Sequence, residues 1–552
     1  MATSHLTALQ SWPEWFEPRL PGDAECSPAL VLRQRAESDP QGLFVKLEDG
    51  SPRTNLAAFV EMQRTARLLA GMGLKDRDRV VLWMPNGPDM LRYLLGCWVL
   101  GVTPVPLNVA LLGSPLAHVL RTVESRVIVC HPALAPRLAD VDPAVLSATS
   151  TLVSVENSTV RQVGSLAVLS EADIEQPPND MAIGAPRVAK PWDIAAIIFS
   201  SGTTGLAKGV QAPFGQLWTL GRAFYGWMQP DDRMLLALPL FHVAALGALF
   251  GALAARSSLA LNEAFRAADF FDVLRRTGAT TAPGLGRTLI DVLNRLPPRA
   301  DDGDNPLRAI TVQSSNAAVR EFARRFQCRV IPSYSMTETS CIAIAEMDCE
   351  REGSLGRPRA GLEVRLVDAH DLEVPVGSPG EVIVRSSLPW TLNAGYFRNP
   401  EATTDAWRNG WFHTGDIARA DADGYLYYMD RSKDVIRRRS ENISSVEIEA
   451  EVRQHPDVQD VAAVGVETAG GEEIMVVVAP RPDRSVDPLA LTEFLVYRLP
   501  HFMVPRFVRV VAELPKTQAT ARVQKADLRK AGVTSDTWDR ETAGIRLQRP
   551  KL

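Results

Sequence analysis

A segment rich in glycine and hydroxyl residues has the composition of an anion-binding loop. It runs from Phe199 to Val210 and reads FSSGTTGLAKGV, directly after an apolar stretch that predicts a buried strand. Glycines let the backbone turn tightly and approach an anion. Hydroxyls and successive backbone N–H groups can then hold phosphate oxygens. A polar surface loop has a similar composition, but the order of the residues favours phosphate binding. The candidate contacts are Ser201, Gly202, Thr203, Thr204, Gly205 and Lys208.

Two later segments place carboxylates beside hydroxyl and aromatic residues. Residues 334–338 read YSMTE and residues 411–416 read WFHTGD. Mg²⁺ prefers oxygen ligands and substrate phosphates, so one carboxylate together with a nucleotide can hold it. An isolated YxxTE carries no information. Taken in order with the first loop, however, these segments resemble the adenylate-forming superfamily, which holds acyl-CoA synthetases, peptide-synthetase adenylation domains and luciferases.

The resemblance implies a nucleotide site. It assigns adenine stacking to Tyr334, α-phosphate contact to Thr337 and Mg²⁺ ligation to Glu338. The ribose would be held by Asp416 and Arg431. Further residues expected around AMP or ATP are Ser315, Asn316, Ala317 and Ser335, with Asn316 where the family commonly has glycine. The family's proline before the loop lysine is Ala207 here.

A second group of residues is expected to line the acyl substrate. Residues 238–242 read LPLFH and resemble the family's aromatic-gate motif, so His242 would line the passage between the acyl and pantetheine sites. A core histidine with satisfied hydrogen bonds is the alternative. The predicted acyl pocket comprises His242, Val243, Gly247, Gly284, Leu285, Ala317 and Met336. Small residues in this set favour a bulky apolar acid, although tight helix packing would select them equally.

The segment ENISSVEIE, residues 441–449, resembles the family's region after the hinge, in the form found in carnitine-type and coumarate-type CoA ligases. Lys433 falls on the hinge position, where the family rotates its small domain between half-reactions. Arginine pairs bidentately with phosphate, so the expected CoA contacts are Arg438, Arg439, Ser440 and Glu441. A solvated basic loop is the alternative. The motifs GSLGRP (353–358) and GYF (395–397) are interpreted as structural spacers.

One family motif is broken. In this family, the C-terminal domain ends in a motif whose last lysine bridges the carboxylate and the α-phosphate during adenylation. In this chain, residues 514–525 read LPKTQATARVQK and place Arg522 or Ala521 at that position. Arginine is a planar fork and lysine a compact charge, so the exchange is not conservative. Losing one aimed charge-stabilising group costs about 2.7–4 kcal/mol. Lys516 or Lys525 could replace the missing cation.

Three functions therefore remain open. The hypothesis is an acyl-CoA ligase biased to thioester formation, which takes an acyl-AMP and transfers the acyl group to CoA. A separate adenylating enzyme is the partner that could supply the acyl-AMP. The catalytic residues would be His242, Thr337, Glu338, Lys433 and Arg522. The alternatives are a complete ATP-dependent synthetase, with Mg²⁺, ATP, CoA and a small carboxylic acid, and a non-catalytic protein that binds AMP or acyl-AMP.

Alternating short apolar runs and helical patterns predict the elements that position these residues. Residues 79–84 (RVVLWM) and 102–106 predict buried strands on either side of a helix, a βαβ rhythm typical of parallel sheet flanked by helices. After residue 430 the pattern changes to short strands and an Asp487-Pro488 helix start. We therefore expect an α/β fold with a large domain, 1–430, and a small mobile α+β domain, 431–552.

Bulk properties exclude several partners. The formal net charge of −5 gives no attraction to nucleic acid or to anionic membranes. The six cysteines form no CxxC pair, which predicts reduced thiols and a cytoplasmic protein. The N-terminus reads MATSH and has no basic segment followed by an apolar one, so no signal peptide is expected. The apolar stretch 235–255 is interrupted by Pro239 and His242 and is predicted to be buried core.

Overall fold

Helices are distributed along the whole chain. The computed structural model describes residues 6–7, 12–156, 158, 160–164, 166–175, 187–200, 207–431, 434, 436–438, 441–443, 445–468, 471–496, 498–499, 503–517 and 523–545. The α-helices are α1 (Asp23–Cys26), α2 (Pro28–Ser38), α3 (Asn55–Gly71), α4 (Pro88–Leu100), α5 (Gly113–Val123), α6 (Phe214–Tyr225), α7 (Val243–Ala254), α8 (Phe270–Thr277), α9 (Arg287–Asn294), α10 (Ala317–Phe326), α11 (Pro400–Ala406), α12 (Ser445–Val452), α13 (Pro488–Val496) and α14 (Lys525–Ala531). Short 3₁₀ helices cover Ala135–Asp140, Glu171–Asp173, Ala267–Asp269 and Arg408–Gly410.

Strands fall into a six-stranded sheet, a long mixed sheet, two hairpins and a four-stranded sheet. The first half of the chain holds β1 (Leu6–Thr7), β2 (Leu43–Leu47), β3 (Pro52–Thr54), β4 (Arg79–Trp83), β5 (Thr103–Pro106), β6 (Val127–Cys130), β7 (Thr151–Ser154), β8 (Gln162–Val163), β9 (Leu166–Ser170), β10 (Ile194–Ser200), β11 (Lys208–Pro213), β12 (Arg233–Leu236), β13 (Ser258–Leu261) and β14 (Thr281–Leu285). The second half holds β15 (Ala309–Val312), β16 (Arg329–Met336), β17 (Ser340–Ile344), β18 (Ser354–Pro358), β19 (Leu362–Val367), β20 (Gly380–Ser386), β21 (Phe412–Ala420), β22 (Leu426–Arg431), β23 (Ile436–Arg438), β24 (Glu441–Ile443), β25 (Val458–Thr468), β26 (Gly471–Pro480), β27 (Phe507–Val510) and β28 (Thr537–Asp539).

The predicted βαβ unit is confirmed in the six-stranded sheet, whose order is β5-β4-β6-β7-β9-β8. Strands β4, β5, β6, β7 and β9 pair in parallel. Helix α4 begins with Pro88, whose fixed φ suits a first helical position. It ends at Gly101, which adopts φ +78°. Since glycine takes this left-handed conformation readily, it ends the helix and lets the chain enter β5.

The long mixed sheet has fourteen strands and only its first part is parallel. Strands β2, β13, β12, β14, β15 and β16 run parallel. From β16 through β17, β18, β22, β21, β20 and β19 the pairs are antiparallel. The sequence analysis predicted parallel sheet flanked by helices and did not anticipate this antiparallel half. Where successive strands are joined by a short turn, as between Met336 and Ser340, the chain has no room for the crossover that parallel strands need, and the pair is antiparallel.

The predicted α+β unit near the C-terminus is confirmed in its elements. The four-stranded sheet β25-β26-β27-β28 contains the predicted strands 461–466, 474–478 and 507–511 almost completely. Both carboxylate oxygens of Asp487 accept backbone N–H groups in the first turn of α13, as a helix cap does. Strand β22, which ends at Arg431, is the last strand of the long sheet. The domain division at residues 430 and 431 stays a prediction.

Buried side chains explain the apolar stretch and the cysteines. Residues 243–254 form α7, most of whose side chains are buried in the core. No helix in the described part of the chain is long and apolar enough to cross a bilayer. All six cysteines are buried and unpaired. Burial raises the pKa of the Cys341 thiol to about 12, so such a thiol stays protonated near neutral pH.

Candidate active site

The carboxyl ends of neighbouring parallel strands bring several predicted residues to one sheet edge. Strands β12, β14, β15 and β16 are adjacent and parallel. Their ends lead to the segment before His242, to Gly284, to Ser315 and to Tyr334 respectively. Ligands of α/β sheets bind in the crevice beyond such ends. The sheet order therefore makes this edge the candidate site.

Tyr334 and Asp416 are in direct contact. The Tyr334 hydroxyl donates to Asp416 Oδ2 at 2.6 Å, and both side chains are buried. Burial and the neighbouring Asp416 carboxylate hold the pKa of Tyr334 well above its usual range. The tyrosine is therefore a permanent donor to this carboxylate. Residues 82 positions apart along the chain are joined here, as the resemblance implied for adenine and ribose contacts.

Strand pairing fixes the position of Asp416. Its backbone partner on the neighbouring strand is Arg431, so the two residues predicted to hold the ribose are paired in the sheet. The Thr414 hydroxyl accepts the Asp416 N–H at 3.0 Å and donates to the Val382 carbonyl at 2.7 Å. Glu381 accepts the Gly415 N–H at 3.0 Å. Residues 414–416 of β21 are therefore fixed by contacts with Val382, with Glu381 and with Tyr334.

The predicted magnesium ligand Glu338 is buried and is held by a segment that sequence analysis interpreted as a spacer. Asn393 donates its backbone N–H and its side-chain amide to the Glu338 carbonyl, at 2.9 and 2.8 Å. The Tyr396 hydroxyl donates to Glu338 Oε1 at 3.1 Å. Sequence reasoning missed both contacts. Residues 338 and 393 are distant in sequence, and the only signal was the GYF motif itself.

Lys208 lies over the face of the Tyr396 ring. Its Nζ is 4.9 Å from the centroid of the Tyr396 ring, a cation–π distance. Lys208 is also the register partner of Ser200 in the hairpin of β10 and β11. His118 Nε2 lies 2.9 Å from the Ala207 carbonyl, a second contact that sequence analysis missed. The other predicted phosphate contacts, Ser201, Gly202, Thr203, Thr204 and Gly205, lie outside the described residues.

The acidic groups fit the kind of metal that was predicted. Among the described residues, no group of three or more His, Cys, Asp or Glu side chains is arranged to hold a metal ion. Mg²⁺ in nucleotide sites takes one or two carboxylates together with substrate phosphates and water. Glu338 is one buried carboxylate, so this donor set fits Mg²⁺ that arrives with ATP.

Side-chain hydrogen bonds to backbone groups hold the residues around the predicted adenine position. The Ser315 hydroxyl donates to the Cys349 carbonyl at 2.7 Å. Asn316 Oδ1 accepts the Val319 N–H at 3.0 Å and caps α10, which explains why asparagine serves where the family commonly has glycine. Ala317, the first residue of α10, is exposed, and Ser335 is half-buried.

Thr337 is positioned by a residue that sequence analysis did not identify. The buried side chain of Gln216, on α6, donates from Nε2 to the Thr337 carbonyl at 2.8 Å. Helix α6 follows β11 directly in the chain. The strand that carries Lys208 and the helix that supports Thr337 are therefore one continuous piece of structure. No local motif marks Gln216, because its partner lies 121 residues away.

His242 caps helix α7. Its Nδ1 accepts the Ala244 N–H at 3.3 Å, which requires an unprotonated Nδ1. Burial lowers the pKa of His242, in agreement with a neutral ring. Asn86 holds the preceding segment, since it donates to the Leu238 carbonyl and accepts the Leu240 N–H, both at 2.8 Å. A neutral imidazole at this turn is compatible with the predicted gate.

The predicted acyl pocket contains two different kinds of glycine. A Cβ on Gly247 would lie 2.5 Å from Leu220 Cδ2, so this glycine lets α6 and α7 pack closely. A Cβ on Gly284 would meet Thr311 Oγ1 only at 3.9 Å, and the Gly284 N–H donates to that oxygen at 2.7 Å. Among the described residues, a methyl group at Gly284 would therefore meet only an ordinary van der Waals contact. Val243 is buried at the start of α7, and Met336 is half-buried at the end of β16.

The structure describes only part of the predicted hinge and CoA side. Lys433, Arg439, Ser440 and Arg522 lie outside the described residues. Strands β23 and β24 form a hairpin in which Arg438 and Glu441 are register partners. This hairpin packs against the small sheet, with β23 in contact with β26. Arg438 and Glu441 thus flank the connection between the two strands of this hairpin.

Both lysines that could replace the missing cation are engaged in ion pairs. Lys516 Nζ lies 2.6 Å from Asp460 Oδ2. Lys525 Nζ lies 2.8 Å from the buried Glu449 carboxylate and donates to the Ser445 hydroxyl. All of these partners belong to the small domain. These ion pairs engage both lysines with residues that follow the long sheet in the chain.

Comparison with known proteins agrees with this geometry. The model of the AMP-binding enzyme family matches residues 54–397, and the AMP-binding enzyme C-terminal domain matches residues 447–520. The 2-succinylbenzoate–CoA ligase of Bacillus licheniformis is 30% identical over 495 residues, which cover 88% of this chain and 96% of that protein. The crotonobetaine/carnitine–CoA ligase of Salmonella typhimurium is 28% identical over 475 residues, covering 84% and 91%.

Solved structures agree as well. The anthranilate CoA ligase AuaEII in complex with anthranoyl-AMP superposes with a TM-score of 0.80 at 23% identity, covering 94% of this chain and 98% of that one. ATP-bound MatB from Rhodopseudomonas palustris superposes with a TM-score of 0.76 at 26% identity, covering 91% and 98%.

Proposed function

The chain belongs to the AMP-binding enzymes and has their adenylate-forming fold, and on this premise we propose that it is an acyl-CoA ligase biased to thioester formation. It would take an acyl-AMP, supplied by a separate adenylating enzyme, and transfer the acyl group to CoA. The curated relatives with this architecture are CoA ligases, which supports the ligase class. The bias concerns one half-reaction only.

The ion pairs of Lys516 and Lys525 support the bias most directly. With Ala521 or Arg522 at the family lysine position, adenylation needs another cation beside the α-phosphate. The two nearby lysines are held instead by Asp460 and by Glu449. Lys525 and Arg453 both pair with Glu449, which is 6% exposed, so releasing Lys525 would remove one of the two cations beside a buried carboxylate, and reducing the compensation of a buried charge is costly. Neither lysine is therefore a ready substitute.

The remaining residues suit the second half-reaction. Tyr334 and Asp416 would hold the AMP portion of the acyl-adenylate, and neutral His242 would line the thiol's path. The CoA thiolate attacks the acyl carbon. The bond between the acyl carbon and the phosphate oxygen then breaks, and AMP leaves with the electron pair. This step needs no adenylation lysine, and its catalysis is mainly positioning. When ATP is bound, Mg²⁺ would neutralise phosphate charge beside Glu338.

Two assays on the same enzyme test the proposal. One measures CoA thioester formation from synthetic acyl-adenylates, starting with a panel of aromatic and aliphatic acyl groups. The other measures exchange of pyrophosphate into ATP with the matching acids. We expect robust thioester formation and exchange about 10²–10³-fold slower than in a lysine-containing family member. Robust exchange with a cognate acid would end the proposed bias.

Variants sharpen the comparison. Arg522→Lys is expected to raise exchange and to leave thioester formation from acyl-AMP unchanged. Lys516→Met and Lys525→Met serve as matched controls, which should leave any residual exchange unchanged if neither lysine acts in adenylation. A large loss of exchange in either control would support a complete synthetase that uses that lysine. AMP binding without CoA-dependent AMP release would support the non-catalytic alternative.

A further inference from the structure

The segment 393–397, which reads NAGYF, connects the phosphate-loop strand to the carboxylate strand. Three backbone hydrogen bonds join it to β11: Gln211 to the Gly395 carbonyl at 3.0 Å, Ala394 to the Gln211 carbonyl at 2.9 Å, and Phe397 to the Gly209 carbonyl at 2.7 Å. On its other side, Asn393 binds the Glu338 carbonyl. The segment therefore fixes the distance between the strand of Lys208 and the loop of Glu338.

The backbone at Tyr396 is precisely placed. Gly395 adopts φ +96°, and a Cβ there would meet Thr403 Cγ2 at 2.9 Å. Only glycine combines this conformation with this close approach. The Tyr396 N–H then donates to Thr403 Oγ1 at 3.0 Å. Tyr396 also forms an isolated antiparallel β-bridge with Val210 of β11. The direction of the tyrosine side chain is thereby fixed before any ligand binds.

The Tyr396 side chain meets two functional groups with two different surfaces. Its hydroxyl donates to Glu338 Oε1 at 3.1 Å, while its ring face lies 4.9 Å from Lys208 Nζ. The hydroxyl contacts one carboxylate oxygen, and the ring face contacts the lysine cation. One side chain thus touches both the predicted metal ligand and a predicted phosphate contact, and it restrains the two together.

We propose that Tyr396 is a positioning residue for the metal–nucleotide part of the site, orienting Glu338 for Mg²⁺ and directing Lys208 toward the phosphates. This role rests on the adenylate pocket of the proposed function. It concerns ATP and pyrophosphate more than AMP, because AMP needs no metal. Residues that orient a metal ligand typically change metal affinity by about 10–100-fold when they are removed.

Binding measurements on the intact protein test this role independently of turnover. Calorimetry would measure the affinity for ATP across a series of Mg²⁺ concentrations and the affinity for AMP without metal. For Tyr396→Phe we expect the Mg²⁺ concentration at half-maximal ATP binding to rise about tenfold, with AMP affinity unchanged. For Tyr396→Leu, loss of the ring should also weaken metal-free ATP binding by about 2–5-fold.

Tyr427→Phe is the matched control, because the Tyr427 hydroxyl donates to Asp421, a carboxylate outside this site, at 2.8 Å. It should leave every binding constant unchanged. Equal Mg²⁺ dependence in Tyr396→Phe and wild type would overturn the positioning role, as would a parallel loss of AMP affinity or a wild-type protein that binds ATP without any Mg²⁺ effect. Failure of the wild type to bind AMP would instead refute the proposed function.

Discussion

At the scale of single residues, the nucleotide site depends on donors whose partners lie far away in sequence. Tyr334 reaches Asp416, and Gln216 reaches Thr337. The tyrosine has two separable properties. Its ring is the surface predicted to stack on adenine, and its hydroxyl holds the carboxylate predicted to bind ribose. Removing only the hydroxyl therefore isolates the effect of the carboxylate's orientation.

We expect Tyr334→Phe to lower the free energy of unfolding by about 1–3 kcal/mol, because a buried carboxylate loses a donor. AMP affinity should fall about tenfold, which corresponds to about 1.4 kcal/mol. Denaturant unfolding and calorimetry measure the two quantities.

Tyr425→Phe provides the control for this prediction. The Tyr425 hydroxyl donates to Glu346 Oε1 at 2.7 Å, and Tyr425 is also buried. This variant should lose comparable stability and keep its AMP affinity. Equal AMP affinities for Tyr334→Phe and wild type would mean that the hydroxyl does not orient the site.

At the scale of elements, glycines serve two purposes. Some allow helices to pack closely, and another belongs to the predicted acyl pocket. Helices α6 and α7 approach closely where a Cβ on Gly221 would lie 2.5 Å from the Gly251 nitrogen. Backbone atoms cannot move aside as a side chain can, whereas a Cβ on Gly247 would meet side-chain atoms of Leu220, Cδ2 at 2.5 Å and Cγ at 2.6 Å. At Gly284, near the end of β14, a Cβ would meet only Thr311 Oγ1 among the described residues, at 3.9 Å. The three positions should respond differently to one added methyl group.

Gly221→Ala is expected to lower the free energy of unfolding by more than Gly247→Ala does. Each variant should lose at least about 1 kcal/mol, since overpacking typically costs about 1–3 kcal/mol. Gly284→Ala should change the free energy of unfolding by less than about 0.5 kcal/mol and should shift the preference among acyl-adenylates toward smaller acyl groups. Thermal unfolding and the thioester assay measure these effects. An unchanged acyl preference in Gly284→Ala would place that glycine outside the pocket.

Local patterns predicted many of these elements, and the exceptions have physical causes. The strand 79–83, helix 88–100 and the Asp487 cap follow from hydrophobic periodicity and capping chemistry, which act within a few residues. The antiparallel half of the long sheet did not follow, since strand direction depends on which strands pair across long distances. Tyr396 and Gln216 were missed for the same reason. Their roles exist only through partners that folding brings near.

At the scale of the whole molecule, the C-terminal helix is tied to the segment that follows the long sheet. Arg529 Nη1, on α14, lies 2.5 Å from Asp434 Oδ1. The Asp434 side chain is 6% exposed and the Arg529 side chain 23%. Asp434 directly follows the predicted hinge residue Lys433 in the chain. This ion pair therefore joins the far end of the small domain to the place where rotation is expected.

We expect Arg529→Gln to lower the stability of the small domain by about 1 kcal/mol, the low end for a stranded charge because the arginine is partly solvated. Thioester formation should slow while AMP affinity is retained, because Tyr334 and Asp416, the residues proposed to hold AMP, lie on the long sheet. Calorimetric unfolding and the thioester assay report these changes. Lys530→Gln, an exposed neighbour on the same helix, should change neither quantity, and identical behaviour of the two variants would refute this link.

The buried cysteines have a practical consequence for the enzymology. Because all six thiols are buried and unpaired, and burial raises the pKa of the Cys26 and Cys341 thiols to about 12, the folded protein should react slowly with disulfide reagents that need an accessible thiolate. Free CoA carries such a thiol and its thioester does not. Colorimetric titration of free thiols should therefore follow acyl transfer continuously, and a rising protein signal would report unfolding in the same cuvette.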